Sequence, residues 1–491
     1  MGTKEINDGV KSAFAYDQLV IELLDTPEVQ RMEHVKQTGL GYKTFPSLSY
    51  ARKAHLIGIS RVATETFRAL ERNGSNLPES FLGVLQAIAI THDIGHGPFS
   101  HGLERVILGT GGEPHEDISA KMVLGQLTFV DYFSQRPHLL GDGLIVKKVL
   151  QRYEQLEKIP EILTKYGVDP VLVAAALSPK VAGQELSPQN RFLKNLIDGS
   201  LWDIDKADYL PRDSRAANVD GGYVEPDRML TDLRVVEQNG ERRLALADSA
   251  LDTLARWVAA RKYMYYNVYK HKTTLKFEAM LCEAVKRSMR YFRENDIEIH
   301  LLTDSKLLEL LTQYDPISAQ LALDVSFGRP FKYAMVYTLQ SHRMRTMLTG
   351  TNDDEETINF TVLQNYAAAQ QAQNVPFPED VIRDEIAARS GVPNHEVLVM
   401  FPVKTRTNDE YRKKMDLLVY AKQGGGVTNV TPLIDLLDGT AFFYDRRAQD
   451  VYQELCKPES RYFFVVFSPP EHRDTVNKAT REFMQSLRRA A

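Results

Sequence analysis

The chain reads as mainly α, with a helical core and a smaller α+β lobe at its carboxy-terminal end, and three features of its 491 residues lead there. From residue 16 to about residue 350 apolar residues recur mostly at helical spacing, as in YARKAHLIGISRVATETFRAL and LARWVAARKYMYYNVYKHKTTLKFEAMLCEAVKRSMRYF. Beyond that region EVLVMFPVKT, MDLLVYAK and RYFFVVFSP are short, rich in β-branched and aromatic residues, and separated by GGG and proline-containing turns, which predicts strands. Between the two regions lies TGTNDDEETIN, acidic and poor in apolar residues. We therefore expect a helical body over residues 1–348, an acidic linker over 349–360 and an α+β lobe over 361–491, closed by the helical tail DTVNKATREFMQSLRRA.

Taken in order, the helical segments carry their own marks. In the helix through residue 55, His55 shares a face with Ile59 and Val62 and should point inward, where an unpaired imidazole is costly. The apolar run FLGVLQAIAI ends in THDIGHGPFSH, residues 91 to 101, whose glycines and proline break the helix and leave His96 and His101 on a loop. The next loops are GTGGEP at 109 to 114 and NVDGGYVEPD at 218 to 227. Between them, LWDIDKADYL places Leu201, Ile204 and Asp208 at inward-compatible spacing with Asp205, and Pro211 predicts a kink before Asp213. Tyr263, Tyr265, Tyr266 and Tyr269 form a helical aromatic cluster whose default role is packing. No internal repeat or low-complexity tract is visible.

Composition excludes more than it selects. With 60 Lys and Arg against 65 Asp and Glu, a formal charge of -5 and a pI near 6.2, nothing in the global balance supports binding to nucleic acid or an anionic membrane. Cys282 and Cys456 are far apart and form neither a disulfide framework nor a thiolate metal site. The amino-terminal residues lack a signal-peptide apolar region and no run of about 18 apolar residues occurs, so the expectation is a cytoplasmic protein without a membrane span.

Histidine placement is the strongest local signal. Six of the 12 histidines, His34, His55, His92, His96, His101 and His115, lie in the first 115 residues. Imidazole and carboxylate together suit Zn, Fe or Mn, and His92 with Asp93 supplies an adjacent pair of ligands. A bare HD dipeptide is most often only a histidine at a helix end. The inward His55 and the carboxylate of Asp205, which needs a cation or several donors if buried, raise it to a candidate metal site of His55, His92, Asp93 and Asp205.

The order H…HD…D resembles that of the HD phosphohydrolase superfamily. The longer text INDGVKSAFAYDQLVIELLDTPEVQRMEHVKQTGLGYKTFPSLSYARKAHLIGISRVA, then THDIGHGPFSH, IDKADYLPRD, VYKHK and FGRPFKY, is similar to the deoxynucleoside triphosphate (dNTP) triphosphohydrolases within it, both those bearing a SAM domain and their bacterial relatives. The likeness runs from near residue 4 to about residue 333; beyond it only the order of elements is similar.

What the resemblance implies is specific. The helical core would hold a divalent transition metal (Mn, Fe or Zn), with Mg on the substrate triphosphate, and an activated water would attack the α-phosphorus of a dNTP to give deoxynucleoside and triphosphate. His101 would protonate the leaving 5′ oxygen, oriented by Glu104, while His96 and His115 would hold phosphate oxygens or the water. Arg52, Lys206 and Arg261 would bind the triphosphate. Tyr209, Asp213, Gln37 and Tyr269 would read the sugar, and Thr38 and Lys270, which depart from the family's residues near the base, leave base preference open. Lys4, Asp25, Gln30, His271, Lys272 and Lys332 match an activating-nucleotide site between subunits, with Glu33 where the pattern has an arginine. A nucleotide-activated homo-oligomer, a tetramer first among the choices, is expected, without a preceding SAM-like domain. Its use would be dNTP-pool control or antiphage defence. The alternatives are another HD-type phosphohydrolase, acting on nucleoside monophosphates or a signalling nucleotide, and a nucleotide-sensing scaffold on a silent fold.

Overall fold

The computed structural model describes the chain except residues 1–2, 8, 11, 142, 223, 339–354, 374, 403–407, 424–425, 439–444, 458–461 and 491. It is mainly α, as the periodicity predicts. A short antiparallel ribbon, β1 (Lys4–Ile6) and β2 (Phe14–Tyr16), precedes the body. Helix α1 (Arg52–Arg72) buries His55, Leu56, Ile59, Val62, Ala63, Phe67 and Leu70, spaced three and four apart, against the rest of the core. Helix α2 (Ser80–Thr91) is buried on every side from Val84 to Thr91, so it runs through the centre of the body. Each of Ile88 and Ile90, both fully buried there, contributes about 1.5–3 kcal/mol of burial.

Three helices then surround the end of α2: α3 (His101–Gly109), α4 (His115–Val123) and α5 (Pro170–Leu177). Helix α6 (Ile204–Ala217) crosses α1 and is opened by Asp203, whose carboxylate accepts from Lys206 N at 2.7 Å. It runs through Pro211 as one helix; the proline is buried and the backbone bond it cannot make is the local cost. A hairpin, β3 (Leu233–Gln238) and β4 (Glu241–Ala247), leads to α7 (Leu251–Met264), a π-helical turn over Tyr265–Tyr269, and the long α8 (Lys272–Glu294). Helices α9 (Asp304–Tyr314) and α10 (Pro316–Ser326) pack together and on α8.

The expected linker is in part a helix. Residues 349–354 lie outside the described residues, but 355–360 open α11 (Glu355–Ala372), because the apolar residues that follow give the acidic start a helix to join. The three strands predicted in the last third are present as β6 (Leu398–Met400), β7 (Leu418–Gln423) and β9 (Tyr462–Ser468), the last following α12 (Arg446–Cys456) and preceding the terminal α13 (Arg473–Ala490); β8 (Gly426–Pro432) is a further strand that composition did not mark. Their partners cross the boundary placed near residue 349. The first sheet has the order β3-β4-β7-β8, with β7 parallel to β4 through Ala245↔Leu418 and Leu246↔Val419. A second sheet places β9 between β6 and β5 (Lys332–Thr338), antiparallel to both. Among the described residues no helix is long and apolar enough to cross a membrane.

Candidate active site

The four residues read as metal ligands come from three elements that meet in the body. His55 projects from α1, His92 and Asp93 follow the last turn of α2, and Asp205 lies in the first turn of α6. One donor atom from each falls within 4.8 Å of the others. His55 Nε2 is 3.1 Å from Asp205 Oδ1 and 3.6 Å from Asp93 Oδ2, and His92 Nε2 is 3.3 Å from Asp93 Oδ2.

The outer nitrogens settle how the rings face. His55 Nδ1 lies 2.8 Å from Asp208 Oδ2 and His92 Nδ1 lies 2.8 Å from the carbonyl oxygen of Ala89, acceptors that hold the ring proton at Nδ1. Each Nε2 faces carboxylates and finds no hydrogen-bond partner, although both are buried, so each would offer a lone pair to a cation that displaced its proton. Two imidazole lone pairs and two carboxylates aimed at one point fit a divalent transition metal in donor type and number. The same charge pattern acts on protons. Burial alone would depress His92, but the negative charge of Asp93 and Asp205 outweighs it and raises His92 well above the usual histidine range. Burial would raise Asp205, and its contacts with His55 and His92 hold it well below the usual carboxylate range.

A second cluster sits beside the first. His96 is fully buried, its ring stacked on His115 at 3.7 Å between centroids, with Nε2 3.3 Å from Asp93 Oδ1. Burial, with Arg52 and His115 adding positive charge, keeps His96 well below the usual range and hence neutral. His101 lies not on the loop but at the first position of α3, and His115 opens α4, because the break in the chain ends at Ser100 and not beyond it. Glu104, one turn into α3, accepts from both: His101 Nδ1 is 3.0 Å from its Oε2, and His115 Nδ1 bonds its Oε1. Burial pushes the Glu104 carboxyl up, but the two histidines override it and keep it ionised. His101 is the exposed member, with 67% of its side chain open.

The segment between the two clusters is strained and held from outside. Phe99 and Ser100 have φ of 55° and 52°, where residues other than glycine rarely sit. Asp304, at the start of α9, accepts from Phe99 N at 2.8 Å and Lys36 N at 3.0 Å, and Ser100 Oγ donates to Lys36 O at 2.7 Å. Burial raises the Asp304 carboxyl to about 6. Arg31 donates to the carbonyl oxygens of Ile94 and His96 at 2.6 and 2.8 Å and of Leu302 at 3.0 Å, which ties the other end of the loop to the same region. Asp208, Asp304 and Arg31 are absent from the sequence-derived site. Asp208 had an inward spacing as its signal; the other two had none, since they act through main-chain atoms 63 to 271 positions away.

Both clusters open on one cavity of about 620 Å³, within the range of small-molecule sites. Its lining gathers Gln37, Thr38, Arg52, Lys206, Tyr209, Asp213, Arg261, Tyr269 and Lys270, together with His92, Asp93, His101, His115 and Asp205. His55, His96 and Glu104 stand behind that surface. Arg52 is fully buried and bonds Asp93 Oδ2, Ser100 Oγ and Gln37 O, so it steadies a metal ligand as well as lining the cavity. Lys206 bonds Asp203 and Gly199 O. Asp203 is pushed up to about 7 by burial, against the pull of Lys206. Asp213 accepts from Tyr269 at 2.6 Å and from Tyr50, and burial raises it to about 6. Tyr50 is a further residue the sequence did not single out. Tyr265, assigned by default to packing, lines the cavity, 5.1 Å from the Tyr269 ring and beneath the Arg261 guanidinium at 4.5 Å.

The six positions read as a second nucleotide site lie away from this cavity and divide between two regions. Lys272 and Lys332 converge with Lys276, whose ammonium they help to depress after burial, beside Tyr333. His271 caps α8 by accepting from Thr273 N at 3.2 Å. Gln30 bonds Lys53 at 2.8 Å, and Lys53 pairs with Glu33 at 3.1 Å, so the acid that stands in the pattern's arginine position has a cation of its own. Lys4 lies on β1 and Asp25 caps the helix over Gln18–Leu24.

Residues 52–133 match the HD domain and residues 224–375 the HD associated region, and the first match holds His55, His92 and Asp93. It is similar to the deoxynucleoside triphosphate triphosphohydrolase SAMHD1 of Homo sapiens, 25% identical over 357 residues that cover 67% of this chain and 54% of that protein. It is also similar to the uncharacterized protein YwfO of Bacillus subtilis, 25% identical over 284 residues, 58% of this chain and 55% of that one. A third relative is the uncharacterized protein MJ1154 of Methanocaldococcus jannaschii, 24% identical over 309 residues, 63% and 54% of the two chains. The chain spans about half the length of the curated relatives it matches.

Proposed function

We propose that the protein is a metal-dependent phosphohydrolase that converts dNTPs to deoxynucleoside and intact inorganic triphosphate. The observation that carries this reading is the meeting, in one cavity, of the four-donor metal cluster, the His101–Glu104–His115 group and the Asp213–Tyr269 pair. A bound Mn, Fe or Zn ion would be held by His55, His92, Asp93 and Asp205 and would supply Lewis acidity to a phosphoryl oxygen and to water.

The protein's own residues account for the remaining requirements. Water adds to the α-phosphorus, the bond from phosphorus to the 5′ oxygen breaks, and that oxygen must receive a proton. His101 is placed to give it: its Nδ1 faces Glu104, and its exposed ring leaves Nε2 for the leaving oxygen. His96, neutral and buried, and His115 flank the path of the water. Lys206, Arg261 and Arg52, with Mg, would neutralise the triphosphate, Arg52 through the metal ligand it already touches. Asp213, fixed by two tyrosines, faces a sugar hydroxyl, and Tyr209 narrows the space where a 2′ hydroxyl would sit.

Control by a second nucleotide in a homo-oligomer, a tetramer first, belongs to the same reading, supported by the lysine cluster of Lys272, Lys276 and Lys332. Such an enzyme would serve dNTP-pool control or defence against phage in the cytoplasm. The test is incubation of metal-loaded protein with each dNTP singly and in pairs, with chromatography of the products and light scattering in parallel. Intact triphosphate is expected, with activity and assembly that respond to a second nucleotide. Stepwise phosphate release, or no turnover of any dNTP, would reject the reading; a monomer fully active on every single dNTP would reject its regulatory part.

A further inference from the structure

One acidic side chain in the cavity takes no part in the chemistry above. Glu278 lines it from the second turn of α8, and neither a hydrogen bond nor an ion pair engages its carboxylate among the described residues. It comes close to Gly102, next to His101: a Cβ added there would stand 3.7 Å from Glu278 Oε1. Lys270 lines the same wall directly after Tyr269, and its ammonium is likewise without a hydrogen-bond partner among the described residues. Burial raises the Glu278 carboxyl and the charge of Lys270 opposes that, but no hydrogen bond joins the two, and partly buried groups left so are costly unless a ligand completes them.

Their position says which part of a ligand. The metal cluster and the phosphate-facing cations come from α1, α2, α6 and α7, and the sugar-facing pair from α6 and the turn before α8. Glu278 and Lys270 stand on the wall next to the sugar-facing Tyr269, which Lys270 directly follows, where the start of α8 packs on the 39–49 segment through the 2.9 Å contact of Thr44 Oγ1 with Thr274 Oγ1. A nucleotide held by its phosphates and sugar presents its base there.

We propose that Glu278 and Lys270 read the base, and that they select guanine. This rests on the cavity's being a dNTP site. A carboxylate only accepts and an ammonium only donates. Guanine alone among the four bases has two adjacent donors on its pairing edge, N1–H and the 2-amino group, for both carboxylate oxygens, with O6 beside them as an acceptor for the lysine. Adenine and cytosine offer one donor next to an acceptor, and thymine places its single N–H between two carbonyl oxygens, which a carboxylate repels.

The experiment is steady-state kcat/KM for dGTP, dATP and deoxyinosine triphosphate, which lacks the 2-amino group, with wild-type protein and Glu278→Gln, whose side chain has one donor and one acceptor. Metal content and melting temperature accompany each measurement. Wild-type protein should prefer dGTP to both competitors, and Glu278→Gln should lower both ratios by about tenfold or more. Comparison of dGTP with the inosine analogue in wild-type protein needs no variant, so the inference stays testable if the glutamine protein fails to fold. Turnover of dNTPs without a guanine preference, or ratios unchanged by Glu278→Gln, would overturn this inference alone. No turnover of any dNTP would remove the triphosphohydrolase reading and this inference with it.

Discussion

A histidine can ligate a metal only through a nitrogen without a proton, so the group on its other nitrogen decides whether it serves. For His55 that group is Asp208, itself buried and held by Arg212 at 2.8 Å. Asp208→Asn keeps the shape and removes the charge, and metal affinity should fall roughly 10- to 100-fold, read by chelator competition on protein with an unchanged melting curve. His101 is the converse case, since it touches no metal ligand in the first cluster. His101→Ala should retain the metal by elemental analysis while the rate drops on the order of 10²–10⁴-fold; equal loss of metal would reassign His101 to the coordination shell. Asp213 links the site to stability. Its carboxyl is raised from 3.8 to about 6, chiefly by burial. At a pH above both its unfolded and folded values, folding must bury the ionised form, so its effect on stability is most favourable below about 4 and is lost as pH climbs to about 6, by about 3 kcal/mol. Denaturant titrations across that window should show wild-type protein losing stability relative to Asp213→Asn; parallel curves would show that the group is not buried in its ionised form.

At the scale of elements the site depends on how closely α1 and α6 approach. Gly58 makes that approach possible: a Cβ there would overlap Arg212 Nη2 and Asp208 Oδ1, two atoms locked in a buried ion pair. Gly58→Ala should therefore destabilise the protein by about 1–3 kcal/mol and weaken metal binding together, because moving Asp208 frees His55 to turn. A denaturant midpoint and a metal titration on the same variant test it, and loss of stability without loss of affinity would separate the two effects. The spacing of His55, Ile59 and Val62 announced the inward face of α1, and the glycines around His96 announced the end of α2, since both are local patterns. Gly58 carried no such announcement. Its role comes from Asp208, distant in sequence, as those of Asp304 and Tyr50 come from the Phe99 amide 205 positions away and from Asp213 163 positions away. Pro211 stands inside α6, where packing sustains a helix that local propensity would interrupt.

For the molecule as a whole, strand composition marked β7 and β9 but could not name their partners. The parallel pairing of β4 with β7 joins residues 245–247 to 418–420, and β5 pairs with β9 across more than a hundred residues. Tyr420 donates to Asp232 O at 3.0 Å, Arg243 to Asp416 O at 3.0 Å, and α12 packs along α7, which carries the fully buried Trp257. A chain ended at residue 348 would leave β4 as an open edge, β5 without a partner, and the fully buried Ala245 and Ala247 without Leu418 and Tyr420 over them. Unpaired apolar edges aggregate. Residues 1–348 expressed alone should thus be insoluble or melt well below the full chain, and co-expression with residues 361–491 as a separate chain should recover soluble protein. Folded 1–348 with the full chain's melting temperature and metal content would mean instead that the body completes its own core and that the carboxy-terminal strands only lean on it.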